Sequence, residues 1–258
     1  MRELEFAKRI TVKAGDFIRK HQSGPRDIRY KDGPSNLVTD MDHASEEMIV
    51  SALRREFPDH AVVAEERGAK GDSPFKWYID PVDGTTNYAH GFPVYGVTMA
   101  LEVRGRLEVG VTYAPALGEL FWARRGGGAF RNGRRIRVSR VAKVEEALLC
   151  TGFPYKVEYR KHNLKYFTKF LMQAQAIRRA GAASLDLAWT ACGIFDGFWE
   201  MRLGPWDMAA GVVILEEAGA RVTDFSGGPA TLEGGQCLGA NPRLHRQMLA
   251  VMKSVRIY

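Results

Sequence analysis

The sequence is poor in cysteine, in amide side chains and in long apolar runs. Its three cysteines, Cys150, Cys192 and Cys237, are odd in number and far apart along 258 residues. No Cys-x-x-Cys occurs, which argues against a structural zinc site or a redox dithiol and for a reducing compartment. No apolar stretch approaches the roughly 20 residues needed to cross a bilayer. The opening residues, MRELEFAKRI, lack the apolar region of a secretory signal. These absences predict a soluble, cytoplasmic protein with no membrane partner. Asn and Gln together number only ten, a composition associated with thermal selection. There is no internal repeat, low-complexity segment or Pro/Ser-rich linker. The motifs G-x-x-x-x-G-K-S/T, G-x-S-x-G and H-E-x-x-H are all missing, which excludes the common P-loop, nucleophile-elbow and zincin templates.

What remains is a globular composition, 45% hydrophobic and 26% charged, long enough to bury a core without disulfide staples. The length suits one large or two small units, and we read a single domain over 1–258 with a soft division near 145–155. The formal charge is +7, and it is concentrated. Residues 124–140, RRGGGAFRNGRRIRVSR, hold seven arginines and no acid. Removing those seven from the 37 Lys+Arg leaves 30, equal to the 30 Asp+Glu elsewhere. Such a cluster can bind phosphate backbones or an acidic partner. It also reads as a hairpin with a solvated arginine face. Asn132-Gly133 is a type I′ turn signal, and Ile136 and Val138 alternate with arginines as in a half-buried strand.

Apolar residues Leu4, Ala7, Ile10, Ala14, Phe17 and Ile18 recur at helical spacing, so the chain opens with an amphipathic helix. A second helix is expected from about Asp42 to Glu56. Its stripe is Met41, Ala44, Met48, Ile49, Ala52 and Leu53, with Thr39 or Asp40 as cap. Ala61–Ala64 and Trp77–Ile79 read as buried strands, separated by a polar loop over Gly68–Pro74. The stretch from about Tyr95 to Ser139 reads as an antiparallel meander. Beyond Pro154, helices near 158–174, 183–192, 206–218 and 242–253 alternate with short strands near Ala176–Arg178, Gly197–Glu200, Ala220–Thr223 and Cys237–Gly239. The fold class is α/β (α+β), helices layered on sheets.

The chemistry-bearing residues are acidic and sit where strands end. The strand Ala61–Ala64 runs into Glu65-Glu66, and Trp77–Ile79 runs into Asp80-Pro81-Val82-Asp83-Gly84-Thr85-Thr86. Asp207 opens a later apolar helix. Asp80 and Asp83 place two carboxylates on one turn whose geometry Pro81 restricts. Crowded carboxylates favour a neutral form unless a cation compensates. Oxygen ligands without cysteine favour a hard ion, Mg²⁺ first. An isolated D-x-x-D would sooner shape a turn or cap a helix; acids after two separate strands favour a site. A helix starting at Gly84-Thr85 would offer N–H groups to a phosphate, although threonine capping explains the same residues. Three-residue spacing with Pro81 between the acids disfavours a D-x-D phosphoenzyme and favours direct attack by water.

WYIDPVDGTTNYAHGFP (77–93) and PWDMAAGVVILEEAGARVTD (205–224) resemble the two signatures of the inositol monophosphatase family, in its bacterial inositol-1-monophosphatase branch. NLVTDMD (36–42), VAEERG (63–68), GGGAFRNGRRIRVS (126–139), TGFPY (151–155) and IRRAGAASLDLAW (177–189) follow the same blocks in order. The resemblance covers nearly the whole chain. It implies a layered αβαβα sandwich of the Mg-dependent, Li-sensitive phosphatase type, commonly dimeric. It implies hydrolysis of a small phosphate monoester, inositol 1-phosphate in first place. Fructose 1,6-bisphosphate, histidinol phosphate and adenosine 3′,5′-bisphosphate are alternatives. It implies two or three Mg²⁺ ions: one on Glu65, Asp80 and the Val82 carbonyl, one on Asp80, Asp83 and Asp207, and a weaker third near Glu65. Asp42 and Thr85 match the pair that orients and deprotonates water. Gly84 and Thr85 match the phosphate-binding amides. Ala183, Arg178 (or its neighbour Arg179) and Glu200 match the alcohol side, and Lys31 matches a basic residue near the metals. Related bacterial proteins in transcription complexes make RNA or a transcription factor a further candidate partner for the arginine segment.

Overall fold

A computed structural model describes residues 2–22, 28–31 and 36–255. The chain opens with α1 (Arg2–His21), β1 (Ile28–Tyr30), β2 (Leu37–Thr39) and α2 (Asp40–Glu56). There follow β3 (Ala61–Ala64), β4 (Gly68–Lys70), β5 (Phe75–Asp83) and α3 (Thr85–His90). The meander is β6 (Gly96–Val103), β7 (Arg106–Ala114), β8 (Glu119–Arg124), β9 (Gly128–Arg131) and β10 (Arg134–Arg135). A 3-10 turn, Val144–Glu146, leads to β11 (Leu148–Thr151), α4 (Val157–Leu171), β12 (Ala176–Arg178) and α5 (Ala183–Ala191). The remaining elements are β13 (Gly197–Met201), α6 (Pro205–Glu217), β14 (Arg221–Thr223), β15 (Gln236–Ala240) and α7 (Pro242–Lys253).

The strands form an eight-stranded sheet, β10-β9-β8-β7-β6-β5-β3-β4, a five-stranded sheet, β12-β11-β13-β15-β14, and the antiparallel pair β1-β2. The period-2 alternation of the strands separates three interiors. Trp77, Ile79, Val97 and Met99 point to α1 and α2, where they meet Phe6, Ile10, Ile49 and Leu53. Tyr78 and Ala100 point the other way, to α5 and α6, which also cover Cys150, Phe198 and Cys237 of the small sheet. Leu149, Trp199 and Leu238 face α4 and α7 through Phe170, Leu244 and Met248. The result is an αβαβα sandwich.

Burial explains the central layer. Helix α6 is buried from Met208 to Leu215, so it carries no polar face and reads as apolar all round. It lies so close to the large sheet that a Cβ at Gly110 would collide with the Ala210 carbonyl oxygen.

Four sequence expectations change. The segment Gly68–Pro74 is not wholly loop, because Gly68–Lys70 pairs with Val62–Ala64 as an edge strand. The second helix starts at Asp40, capped by the Thr39 side chain. Its buried face is Asp42, Ser45, Glu46, Ile49, Val50 and Leu53, rotated from the expected stripe so that polar residues enter the interior. Asp80 and Asp83 are not on a free turn but on the last residues of β5, where the pairing with β6 slips between them. Asn132 and Gly133 both have positive φ, 48° and 77°, as a type I′ turn requires. Past Arg135, however, Ile136 and Val138 leave the ladder and donate singly to Ala129 and Ala218.

Gly110→Ala should lower the denaturant midpoint by the equivalent of about 1–3 kcal/mol, because α6 must retreat from the sheet. An unchanged midpoint would mean that the helix is not held at this distance.

Candidate active site

Two adjoining cavities open where the ends of β5 and β13 meet the first turns of α5 and α6. The larger, about 350 Å³, is bordered by Lys31, Glu65, Asp80, Asp83, Thr85 and Asp207 among others. The smaller, about 70 Å³, is bordered by Ala183, Asp186, Glu200 and Arg179. Asp83, Tyr155, Arg202, Leu203 and Asp207 belong to both. The structure thus gathers Glu65, Asp80, Val82, Asp83, Gly84, Thr85 and Asp207 at one cavity and Ala183 and Glu200 at the next.

Each acid is held by local structure. Asp80 Oδ1 accepts from the Val82 N–H at 3.0 Å, which closes the slip in β5. Asp83 accepts from the Ser184 N–H at 2.8 Å, the Ser184 hydroxyl at 2.5 Å and the Ala183 N–H at 3.2 Å. A carboxylate is favoured at a helix start, and the start of α5 provides one. Asp207, at the third position of α6, accepts from the Gly204 N–H at 2.6 Å. Glu65 accepts from Lys31 Nζ at 2.8 Å, and the same ammonium reaches Glu66 at 2.5 Å.

Asp42 lies at the base of α2. It accepts from the Thr39 N–H at 2.8 Å, the Thr39 hydroxyl at 2.5 Å and the Thr85 hydroxyl at 3.0 Å. Thr85 Oγ1 also lies 2.9 Å from the Val82 carbonyl oxygen. Gly84 precedes α3 in the left-handed region, φ 84°, with Val94 O only 3.0 Å from where a Cβ would stand. No L side chain is tolerated there, so the turn after Asp83 depends on this glycine.

Burial governs the electrostatics. It pushes the Asp42 carboxyl up to about 7 against the opposing Thr39 hydrogen bonds. It pushes Asp83 up to about 6, with Ser184 opposing. Asp80 and Asp207 are raised by burial and then by neighbouring acids, Glu65 and Asp83 in both cases. Burial lowers Lys31, but Glu65 and Glu66 overcome it and hold the ammonium protonated well above its usual range. Among the described residues Lys31 and Arg202 are the cations on this cavity, against Glu65, Asp80, Asp83 and Asp207, so the acids outnumber them.

Among the described residues no three His, Cys, Asp or Glu side chains stand together as a ready-made metal site. The reason is visible in the hydrogen bonds. Oxygens of Glu65, Asp83 and Asp207 are turned to Lys31, to Ser184 and Ala183, and to Gly204. The donor set nevertheless fits a hard cation, being all oxygen and carrying surplus negative charge.

Arg178 borders neither cavity; it is exposed and bonds the Ile177 carbonyl. Its neighbour Arg179 borders the smaller one, because consecutive residues at the end of β12 point to opposite sides. Sequence reasoning missed Ser184, Ser45 and Glu46, and named Glu66 without giving it a role. Ser45 donates to the Pro81 carbonyl at 3.0 Å, and Glu46 accepts from the Glu66 N–H at 2.9 Å. Asp42, Ser45, Glu46 and Ile49 lie at helical spacing, and that polar start to an apolar face was the available signal. Asp186, also missed, follows Ala183 by three residues.

The model of the inositol monophosphatase family matches residues 2–256. The chain belongs to the inositol monophosphatase family. A Nus factor SuhB of Pseudomonas aeruginosa is 41% identical, over 97% of this chain and 95% of that protein. An inositol-1-monophosphatase of Synechocystis is also 41% identical, over 95% and 86% respectively. Among solved structures, the extragenic suppressor protein suhB from Bartonella henselae superposes with a TM-score of 0.94 at 34% identity, covering 98% of this chain and 99% of that one. The inositol monophosphatase from Anabaena gives 0.89 at 37%, covering 99% and 96%. The αβαβα sandwich is therefore the family fold, and membership supports a phosphatase. No helix among the described residues is long and apolar enough to cross a membrane.

Raised carboxyls make a stability prediction for the chelator-treated protein. Asp83, Asp42 and Glu200, at about 6, 7 and 8, hold protons in the folded state that an unfolded chain releases near its ordinary values of 3.8, 3.8 and 4.5. Their contribution is full below the unfolded values and is lost as pH rises through the folded ones. Melting temperature at constant salt should fall between about pH 5 and 8. A rise over that window would contradict the burial described here.

Proposed function

We propose that this protein is a Mg²⁺-dependent phosphatase that hydrolyses inositol 1-phosphate, or a closely similar polyol phosphate, by direct attack of water. The observation that carries this reading is the pair of adjoining cavities. One is rimmed by Glu65, Asp80, Asp83 and Asp207, the other by the buried carboxylate of Glu200.

The phosphate belongs in the larger cavity, which Gly84 and Thr85 line at the start of α3; the first N–H groups of a helix have no partner within it. Glu65, Asp80 and the Val82 carbonyl would hold one Mg²⁺ and Asp80, Asp83 and Asp207 a second, with a weaker third near Glu65. Bound there, the metal supplies charge neutralisation of the phosphate and an acidified water. Thr85 orients the water, and Asp42 behind it accepts the proton. A carboxyl at about 7 suits a base working near neutral pH. The alcohol half extends into the smaller cavity, where Glu200 accepts from hydroxyls and Arg179 stands at the rim in the place expected of Arg178.

Purified protein should release phosphate from inositol 1-phosphate only with Mg²⁺. Asp80→Asn or Asp207→Asn should cut the rate by roughly a hundredfold or more, the scale of losing preorganised charge stabilisation. Full activity of Asp80→Asn would refute the metal assignment. A substrate panel including fructose 1,6-bisphosphate, histidinol phosphate and adenosine 3′,5′-bisphosphate, compared by kcat/KM, decides the substrate.

A second reading has its own support. Relatives named Nus factor SuhB stand at 39–41% identity, and the arginine segment is largely solvent-facing. Arg125 pairs with Glu216 and Arg131 with Glu119, while Arg124, Arg134, Arg135, Arg137 and Arg140 are exposed. We propose that this face contacts RNA or a transcription complex alongside the hydrolase activity. RNA binding should weaken steeply with salt and be lost in the Arg134→Glu/Arg135→Glu double variant. Undetectable binding by the parent protein at low salt would reject it.

A further inference from the structure

Beneath the smaller cavity lie two carboxyl groups, and the structure gives three of their oxygens no partner. Asp186 on α5 is 1% exposed and Glu200 on β13 is 8% exposed. Both border the cavity. Both Asp186 oxygens and Glu200 Oε2 are shut off from solvent and make no hydrogen bond. Leaving such atoms unsatisfied is costly, and two ionised carboxylates side by side are costlier still. The elements around them offer no cure. Cys150 on β11 and Thr190 on α5 both donate to the Asp186 carbonyl, at 3.8 and 2.7 Å, not to its side chain. Asp83 on β5 adds like charge, and among the described residues Arg179 after β12 is the opposing cation acting on both groups. Cys237, paired with Glu200 in the sheet register, is a buried neutral thiol. The Glu200 carboxyl is also fixed in place, since a Cβ at Gly152 would overlap it.

A single proton between the two groups satisfies both. We infer that Asp186 is a positioning residue: its carboxyl O–H donates to Glu200 Oε2, and the other Glu200 oxygen is left to accept from a substrate hydroxyl. The direction follows from burial. Both Asp186 oxygens are enclosed without a partner, while of Glu200 only Oε2 is, so the proton is placed on Asp186; burial, then Glu200, hold its carboxyl well above the usual range. The inference rests on the reading that this cavity takes the alcohol half of the substrate. It adds that selection for a polyol depends on a residue with no oxygen open to solvent.

The test compares kcat/KM for inositol 1-phosphate with that for p-nitrophenyl phosphate, whose leaving group has no hydroxyl for Glu200, with Mg²⁺ present. In Asp186→Leu, which cannot donate, the ratio should fall about tenfold, carried by KM for the polyol phosphate. In Asp186→Asn, whose amide can donate from the same place, the ratio should stay within about twofold of the parent. An Asn variant as impaired as the Leu variant would overturn the inference, because an ionised Asp186 would then be what matters. So would an unchanged ratio in Asp186→Leu, or a fall of both substrates together. Lack of turnover of either substrate by the parent protein would reject the phosphatase reading instead. Infrared difference spectra then decide separately. The difference between parent and Asp186→Asn should show a protonated-carboxyl carbonyl band carried by the parent alone; its absence from that difference would overturn the proposal.

Discussion

Buried carboxylates repel one another, and the placement of that repulsion organises this molecule. Asp42, Asp80 and Asp83 lie at or below 7% exposure, with Glu65 and Asp207 on the same cavity. Such a set is unfavourable unless charge is neutralised by protons, cations or N–H dipoles. The fold supplies the dipoles. Asp83 sits on the start of α5, Asp207 caps the start of α6, and Asp42 closes the capping box of α2. Burial first, and then the remaining repulsion, raise the carboxyls, and an all-oxygen set of this kind suits a hard cation.

The central layer makes this arrangement rigid. Helices α5 and α6 are covered by sheet on both sides, and small residues bring α6 close to β7 and to α5. A Cβ at Gly211 would strike Leu187. With interiors packed on both faces, the helix starts that hold Asp83 and Asp207 have little freedom to drift. The same layer carries Asp186, so the two adjoining cavities rest on one pair of helices.

Much of this was legible in the chain. Long periodic segments such as α1 and the meander were read correctly because each buries one face, and burial imposes its period. The acids at strand ends stood out for the same reason: they interrupt apolar runs. Three things were hidden. The slip in β5 depends on pairing with β6, which no local pattern encodes. The face of α2 was misjudged because Asp42, Ser45 and Glu46 are buried through partners, Thr39, Pro81 and Glu66, contributed by other segments. The choice between Arg178 and Arg179 turned on where β12 ends.

The sequence by itself determined the order of the longer elements, the family and the identity of the acids, because those follow from residue type and spacing along one chain. Only the tertiary structure decided which oxygens face which donors. Asp83 meets Ser184 across 101 positions, Thr85 meets Asp42 across 43, and Asp186 comes to lie beside Glu200 without a donor of its own. Hydrogen bonding is short-ranged and directional. Its partners are therefore set by packing, and packing is settled only when all five layers are in place.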